Sequence, residues 1–211
     1  MEYPDNESKT AEVNEPDAAY SGSYTAADYI TWKTDELMEL IRGKVFKMSP
    51  SPLSGHQILF SDLHAQMIKT AKLKDGCRIW QAPFDVYLFH PGEDWKKTKN
   101  IVEPDIFINC DPSKIQRRGC MGPPDFVVEI LSPGTRKKDA TLKFDLYQEY
   151  GVREYWMISV SERMILVNLL NKEGNYEAQK PFIEGQTLSP RDFPEIQIDI
   201  KELFKDVIEE D

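Results

Sequence analysis

The fold is decided by the stretch PPDFVVEILSPGTRKKDATLKFDLYQEYGV, residues 123–152. Its first half, over 125–131, has the β-branched and aromatic residues of a buried strand. Its second half starts a helix at Asp139 whose apolar residues recur every four positions, and Gly151 stops that helix as a C-cap glycine does. Glu129 does not fit, because it is a carboxylate inside an otherwise apolar run. A buried strand that carries a charge needs a structural or chemical reason for it.

Strand-like and helix-like stretches surround this segment on both sides, with turn residues between them. Strands clustered around two or three helices predict a single α/β domain with a mixed sheet. We expect further helices over 26–40, where Ser23 or Thr25 would be the N-cap, over 55–73 and at the C-terminus. The expected strands are 45–48, 78–89, 101–109, 125–131, 154–160, 164–170 and 196–200. Pro83 would lie at a bulge or edge of the strand 78–89.

The net charge of −10 is concentrated at the two ends of the chain. Residues 1–22 carry six acids and one lysine, and residues 201–211 carry five acids and two lysines, whereas residues 96–143 hold ten bases and six acids. We therefore expect a disordered acidic extension over 1–22, a single domain over 23–205 and an acidic tail over 206–211. A locally basic surface is compatible with this distribution, so the acidic total does not exclude a nucleic-acid partner.

The cysteines and the absence of long apolar runs bear on the compartment. Cys77, Cys110 and Cys120 form no CxxC pair and are odd in number, so they indicate neither a zinc ribbon nor a closed disulfide framework. The N-terminal residues lack the basic and apolar regions of a signal peptide, and no apolar run approaches the ~20 residues of a membrane helix. We expect a soluble, cytoplasmic protein that does not enter a membrane.

Asp105 repeats the problem that Glu129 poses, because it comes directly before the apolar run 106–108. Side chains alternate along strands, so the two carboxylates could converge if their strands pair. Together with the backbone carbonyl of Ile130 and with waters, they would form an oxygen-ligand site that suits Mg²⁺ or Mn²⁺. A structural ion pair or network is the alternative, because a buried carboxylate is costly unless it is paired, protonated or bound to a metal.

Three further residues are candidates for chemistry near such a metal. Lys143 lies at the border of the buried face of its helix and could position water or stabilise charge on a phosphate, although helices also carry solvated lysines routinely. Asp139, four residues earlier, lies on the same side and could hold the Lys143 amine or add a ligand. His56, in the first turn of the second helix, could contact a phosphate or assist protonation, or could simply cap or pack.

These residues closely resemble the Uma2 family, which belongs to the PD-(D/E)xK nuclease superfamily. The resemblance implies a restriction-endonuclease-like fold, a central mixed sheet flanked by helices, with Asp105 and Glu129 as metal ligands. The superfamily lysine stands two residues after the acid, where this chain has Leu131, and Lys143 matches an arrangement in which the lysine is displaced onto the following helix. The resemblance covers roughly 24–200 and rests on Pro104-Asp105, residues 124–133, Thr135, Asp139, Lys143, Tyr147 and residues 151–156, with 24–29, 39–45 and 48–56 upstream.

The resemblance also suggests accessory residues. Glu39, in the first predicted helix, resembles an acidic position near the family's site and is a candidate for an additional ligand. Arg117 and Arg118 on a long loop, together with Lys138, are candidates for contacts with the DNA backbone, although an exposed arginine pair is often only solvated. The chain has no obvious separate DNA-reading module, so specificity would come from loops, a homodimer or a partner.

Three functional hypotheses follow. The first is a Mg²⁺-dependent endonuclease that hydrolyses DNA phosphodiester bonds with Asp105, Glu129 and Lys143. The second is a catalytically inactive nucleic-acid-binding or interaction protein that retains the nuclease fold, which Leu131 and the acidic tails favour. The third is that the acidic tails mimic DNA and hold a basic cleft shut.

Overall fold

A computed structural model describes residues 22–34, 36–48, 53–131 and 138–208, with the side chains of 138–140 excepted. Of the predicted acidic extension over 1–22, only Gly22 is described, and the predicted tail is described up to Ile208. No helix within the described ranges is long and apolar enough to cross a bilayer.

The strands of the described residues form two large sheets and one small one. They are Met38–Ile41 (β1), Lys44–Lys47 (β2), Arg78–Gln81 (β3), Val86–Tyr87 (β4), Ile101–Val102 (β5), Ile106–Asn109 (β6), Ile115–Gln116 (β7), Gly119–Met121 (β8), Phe126–Leu131 (β9), Glu154–Ser159 (β10), Met164–Leu170 (β11), Tyr176–Ala178 (β12), Phe182–Ile183 (β13), Thr187–Leu188 (β14) and Ile198–Asp199 (β15). The first sheet has the order β2-β1-β5-β4-β8-β7, the second has the order β12-β11-β10-β9-β6-β3 with β13 paired to β11, and β14 and β15 form the small sheet. Both large sheets are mixed, because β4 and β8 are parallel and so are β9 and β10.

Within the part of the chain that the structure describes, four α-helices accompany the sheets: Ala26–Tyr29 (α1), Ser54–Thr70 (α2), Phe144–Glu149 (α3) and Ile200–Leu203 (α4). α2 matches the predicted helix, and its four-residue repeat of Leu59, Leu63 and Met67 is fully buried against one face of the second sheet. Each such side chain contributes roughly 1.5–3 kcal/mol on burial.

The opposite face of the second sheet packs on the first sheet. Phe107, Val127 and Tyr155 of the second sheet share one buried cluster with Val86 and Val102 of the first. Leu146 and Tyr147 of α3 belong to the same cluster. β9 is therefore covered on both faces, which explains why its sequence is a continuous apolar run rather than an alternating one.

The predicted helix over 26–40 is wrong beyond its first turn. α1 ends at Tyr29, and Met38–Ile41 is a strand that pairs with β2 through a two-residue turn. Arg42 and Gly43 in that turn have φ values of +54° and +78°, as a hairpin of this length requires. All four residues of β1 are buried, which a strand lying between two layers permits and a one-sided helix does not.

Two predicted strands are each divided between the sheets. The predicted strand 78–89 becomes β3 in the second sheet and β4 in the first, and the predicted strand 101–109 becomes β5 in the first and β6 in the second. Within each of these two stretches the chain therefore crosses from one sheet to the other, at residues 82–85 and at residues 103–105. These two crossing segments carry Asp85, Glu103 and Asp105.

The helix predicted from Asp139 begins as a π-helical segment, Lys138–Lys143, and continues as α3. Gly151 has φ +79°, so it terminates this helix in the left-handed conformation that the sequence predicts. Strands β2, β9, β10 and β11 lie where the sequence places them, whereas β12, β13 and β14 were not predicted. The long loop predicted between residues 109 and 125 contains the β7–β8 hairpin.

The structure contains one disulfide, which the cysteine spacing did not indicate, and Cys120 is a free cysteine. Cys77 and Cys110 are joined, because Arg78 lies opposite Asn109 in the β3–β6 pair and the two cysteines are one step beyond that register. Spacing along the sequence does not reveal this contact, since the two residues are 33 positions apart. Disulfides are uncommon in a reducing cytoplasm, so the cysteine content does not support that compartment.

Candidate active site

Glu129 lies in the middle of β9 and is only 3% exposed. Its Oε1 accepts hydrogen bonds from Lys143 Nζ at 2.8 Å and from the Tyr147 hydroxyl at 2.7 Å. Hydrogen bonds to a charged group are stronger than neutral ones and offset the cost of burying the carboxylate. The apparently misplaced acid is therefore the centre of a buried polar cluster.

Lys143 links the two sheets through this cluster. Its Nζ lies 2.7 Å from Glu39 Oε1 and 2.8 Å from Glu129 Oε1, and the lysine is itself only 2% exposed. The fully buried Glu39 lies on β1 of the first sheet, not on a helix as the sequence suggested. The ammonium and the two carboxylates, together with Tyr147, are called the inter-sheet cluster below.

Tyr147 is a member of this cluster to which sequence reasoning gave no role of its own. It is fully buried, and burial together with the charge of Glu129 raises the pKa of its hydroxyl well above the usual value. The hydroxyl therefore remains a hydrogen-bond donor to Glu129. Its position four residues after Lys143 places both side chains on one side of the helix, and that spacing was the available signal.

Asp105 lies immediately before β6, at the start of the pairing between β6 and β9. Its Oδ2 accepts a hydrogen bond of 2.7 Å from the Ile130 amide, and its Oδ1 is 3.4 Å from His56 Nε2. Ile106 pairs with Val128, so the next step of the register sets Asp105 opposite Glu129. The structure thus brings Asp105 next to Ile130 and His56 and sets it opposite Glu129, at the point where the pairing between β6 and β9 begins.

The donor chemistry of Asp105 and Glu129 suits a hard divalent cation. Within the described ranges, no group of three or more His, Cys, Asp or Glu side chains is arranged to hold a metal. Mg²⁺ does not require such a group, because it commonly binds through one or two carboxylates and keeps several waters or substrate phosphate oxygens. The two carboxylates therefore fit Mg²⁺ or Mn²⁺ better than they fit zinc, which takes four protein ligands in structural sites.

A second buried acidic group lies on the face of the first sheet that α1 covers. The hydroxyls of Tyr29 and Tyr87 donate to the two oxygens of Asp85, at 3.2 and 3.3 Å. Glu103 is 5% exposed, and its carboxyl group interacts with the carboxyl group of Asp85. Asp85, Glu103 and the two tyrosines are called the outer cluster below.

Burial dominates the electrostatics of the outer cluster. It raises the pKa of Glu103 to about 8, with the negative charges of Asp85 and Glu39 acting in the same direction and Lys143 against it. Burial also raises the pKa of Asp85, while the two tyrosine hydroxyls oppose that shift. The backbone amide of Glu103 donates to Glu39 Oε1 at 3.1 Å, so the two clusters touch.

The remaining predicted residues lie outside these clusters. Arg117 and Arg118 are exposed at the turn between β7 and β8. Asp139 and Lys138 lie in the π-helical segment, but their side chains are outside the described residues, so the predicted contact between Asp139 and Lys143 stays a prediction. The Ile130 carbonyl as a metal ligand also stays a prediction, although its amide is tied to Asp105.

Comparison with known proteins places this geometry in context. The Uma2 family model, described as "Putative restriction endonuclease", matches residues 26–201. The fold resembles the crystal structure of a "putative nuclease belonging to DUF820" from Anabaena variabilis ATCC 29413, with a TM-score of 0.67 and 21% identity over 87% of this chain and 99% of that one. No curated protein matches the chain significantly. The expected α/β nuclease fold is confirmed.

Proposed function

Because the chain belongs to the Uma2 family, we propose that it is a divalent-metal-dependent endonuclease that hydrolyses phosphodiester bonds in DNA. The observation that carries the proposal is the convergence of Asp105, Glu129 and Lys143 at one end of two paired strands. A structural ion pair would by itself explain why Glu129 and Lys143 are buried together. It would not explain why Asp105 is held near them by the Ile130 amide.

Asp105 and Glu129 would hold the cation. When bound, Mg²⁺ or Mn²⁺ supplies positive charge to phosphate oxygens and lowers the pKa of water. The protein fixes both carboxylates in advance: Glu129 by Lys143 and Tyr147, and Asp105 by the Ile130 amide. Such preorganisation means that little rearrangement is needed when the phosphate arrives.

Lys143 and His56 are the residues that would handle charge and protons. Lys143 provides a fixed positive charge next to Glu129, which favours the negative charge that develops during attack on a phosphate. His56 is in contact with Asp105 and partly exposed, so it can exchange a proton with a group bound near that carboxylate.

A specific observation also favours the second candidate function, a nuclease-like protein without turnover. Lys143 is only 2% exposed and bridges two carboxylates, so its charge is already engaged within the protein. A lysine used only to hold Glu39 and Glu129 would leave nucleic-acid binding intact and supply no catalysis.

The direct test is conversion of supercoiled plasmid to nicked or linear DNA with Mg²⁺, with Mn²⁺ or with EDTA. Activity in the presence of either metal, and its loss in Asp105→Asn and Glu129→Gln, is the expected result. Loss of at least about a hundredfold is expected if both acids serve the reaction directly. Lys143→Met should remove cleavage if the protein is an endonuclease, whereas in a protein without turnover it should lower stability and leave DNA binding intact.

The matched control is Glu173→Gln, which makes the same chemical change in an exposed turn far from the site. All variants are purified identically, so a contaminating nuclease would be equally active in each preparation. Cleavage that persists in both Asp105→Asn and Glu129→Gln would contradict the proposal. Absence of cleavage with every metal and substrate, together with DNA binding, would favour the inactive protein.

A further inference from the structure

A cavity of about 530 Å³ lies against the β7–β8 hairpin and has no assigned role. Its volume is within the range of small-ligand sites, about 300–1,000 Å³. The described residues that line it combine an aromatic ring, a thioether, an amide and two guanidinium groups, and none is acidic: Trp95, Gln116, Arg117, Arg118 and Met121.

The cavity lies at the same end of the first sheet as the acids of the crossing segments. Val86 pairs with Val102 on one side and with Cys120 on the other, so the next step of the register aligns Glu103, Asp85 and Gly119. Strands lie ~4.8 Å apart, so Gly119 is roughly 10 Å from Glu103. The Arg117–Arg118 turn, adjacent to Gly119, is therefore beside the outer cluster, which contacts the inter-sheet cluster through the hydrogen bond from the Glu103 amide to Glu39.

The hairpin is fixed in that position by close backbone contact. The Cys120 amide donates to the Asp85 carbonyl at 2.8 Å. At Gly119, with φ +153°, an added Cβ would come within 2.3 Å of the same carbonyl oxygen, so no side chain fits there. The distance between the cavity and the outer cluster is thus set by the fold rather than by a movable loop.

The Trp95 side chain forms part of the cavity wall, and its ring is held in place by packing against Tyr87. Its ring lies edge-on to the Tyr87 ring, with centroids 5.6 Å apart, and Tyr87 is buried and bonded to Asp85. Lys96 Nζ lies 5.9 Å from the centre of the Trp95 ring. The indole itself is partly exposed, so it presents a surface that a ligand can reach.

An aromatic ring beside two arginines matches the chemistry of an unpaired nucleotide. Bases stack on aromatic side chains, and guanidinium groups bind the phosphate backbone. A base within a duplex is already stacked and paired, so it cannot enter a cavity without leaving the helix. We propose that this cavity is a subsite for an unpaired nucleotide next to the cleaved phosphate, which rests on the proposed function and specifies its substrate as DNA with an unpaired base.

Binding without metal tests this subsite separately from cleavage. The probes are a fluorescein-labelled duplex and the same duplex with one unpaired thymine, titrated in EDTA at low salt and followed by anisotropy. The wild-type protein should bind the probe with the unpaired base about tenfold more tightly, because one stacked base contributes ~1–3 kcal/mol. Trp95→Leu should abolish that preference, Trp95→Phe should retain most of it, and Arg117→Ala with Arg118→Ala should weaken binding of both probes.

Trp32→Leu is the matched control, since Trp32 packs in the same cluster beside the first sheet but does not line the cavity. If Trp95→Leu fails to fold, the wild-type protein still gives a result with 2-aminopurine as the unpaired base, whose fluorescence should be quenched by stacking. Equal affinity for both probes, unchanged 2-aminopurine fluorescence or a preference that survives in folded Trp95→Leu overturns the subsite. If the protein cleaves DNA but shows no preference for the unpaired base, only the proposed subsite is contradicted. If it shows the preference but does not cleave DNA, only the proposed endonuclease activity is contradicted.

Discussion

The two buried acidic clusters solve the same physical problem in different ways. In the inter-sheet cluster, Glu39 and Glu129 share an ammonium at 2.7 and 2.8 Å. In the outer cluster no described cation pairs with Asp85 or Glu103, and the pKa of Glu103 rises to about 8. A buried acid is thus paired with a cation in one place and kept neutral by a proton in the other. Of the two, the inter-sheet cluster contains Glu129, one of the two acids of the proposed metal site.

Removal of the cation should have the largest effect. Lys143→Met leaves two carboxylates buried without their ammonium, so the free energy of unfolding should fall by about 3–5 kcal/mol. Urea denaturation in EDTA measures the change, with Lys172→Met in an exposed turn as the control. A loss below about 1 kcal/mol would mean that the two acids do not depend on Lys143.

The outer cluster should instead respond to pH. The pKa of Glu103 is about 8 in the folded protein against an ordinary 4.5, so the unfolded chain binds fewer protons between these values and stability falls as pH rises. The loss from pH 6 to pH 8 should be roughly 2 kcal/mol, and Glu103→Gln should remove it because glutamine does not titrate. Urea denaturation in EDTA from pH 6 to pH 8 measures how the free energy of unfolding of the wild type and of Glu103→Gln changes with pH. Glu173→Gln is the control. Parallel profiles for wild type and Glu103→Gln would show that Glu103 is ionised in the fold.

Tyr147→Phe sharpens the comparison within the inter-sheet cluster. It deletes the hydrogen bond from the Tyr147 hydroxyl to Glu129 Oε1 and keeps the ring, so the free energy of unfolding should fall by about 1.5 kcal/mol. Thermal and urea unfolding measure this loss. Tyr24→Phe, at a partly exposed tyrosine beside the first sheet, is the control. An unchanged stability would mean that Lys143 alone satisfies Glu129.

The smallest effect on stability is expected for charges at the surface. Arg117→Ala with Arg118→Ala should change the free energy of unfolding by no more than about 0.5 kcal/mol. The slope of log affinity for DNA against log salt should nevertheless become shallower by about 2, since each arginine contacts one phosphate. Lys172→Ala with Lys180→Ala removes two exposed cations near β12 and should leave the slope unchanged. Equal slopes for both double variants would mean that the arginine turn does not contact DNA.

The sequence predicted those parts of the fold whose signals are local. The helix at 54–70 and the strand at 126–131 follow from periodicity and from a continuous apolar run, and the terminal Gly151 follows from helix capping. The first predicted helix failed because residues 38–41 are buried between two layers by pairing with β2, which periodicity does not encode. The Cys77–Cys110 disulfide was missed for the same reason.

In the candidate site, too, the sequence predicted the residues whose signals are local. Glu129 was recognisable because a charge inside an apolar strand is conspicuous, and Asp105 because it precedes such a strand. The outer cluster was not recognised, because Asp85 and Glu103 meet only through pairing between β4 and β5. Asp85 and Glu103 lie where the chain passes from one sheet to the other. That position is a signal, but it can be recognised only once the sheets are known.

The two crossing segments have a consequence for protein engineering. Because β3 and β4 are consecutive in the chain but belong to different sheets, as do β5 and β6, neither sheet can be excised as a module. A chimera that exchanged one sheet with a relative would also have to join Asp85, Glu103 and Asp105 to a foreign scaffold. Recombination points should therefore lie in the exposed turn between β11 and β12, and the natural unit for domain transplantation is the whole span from α1 to α4.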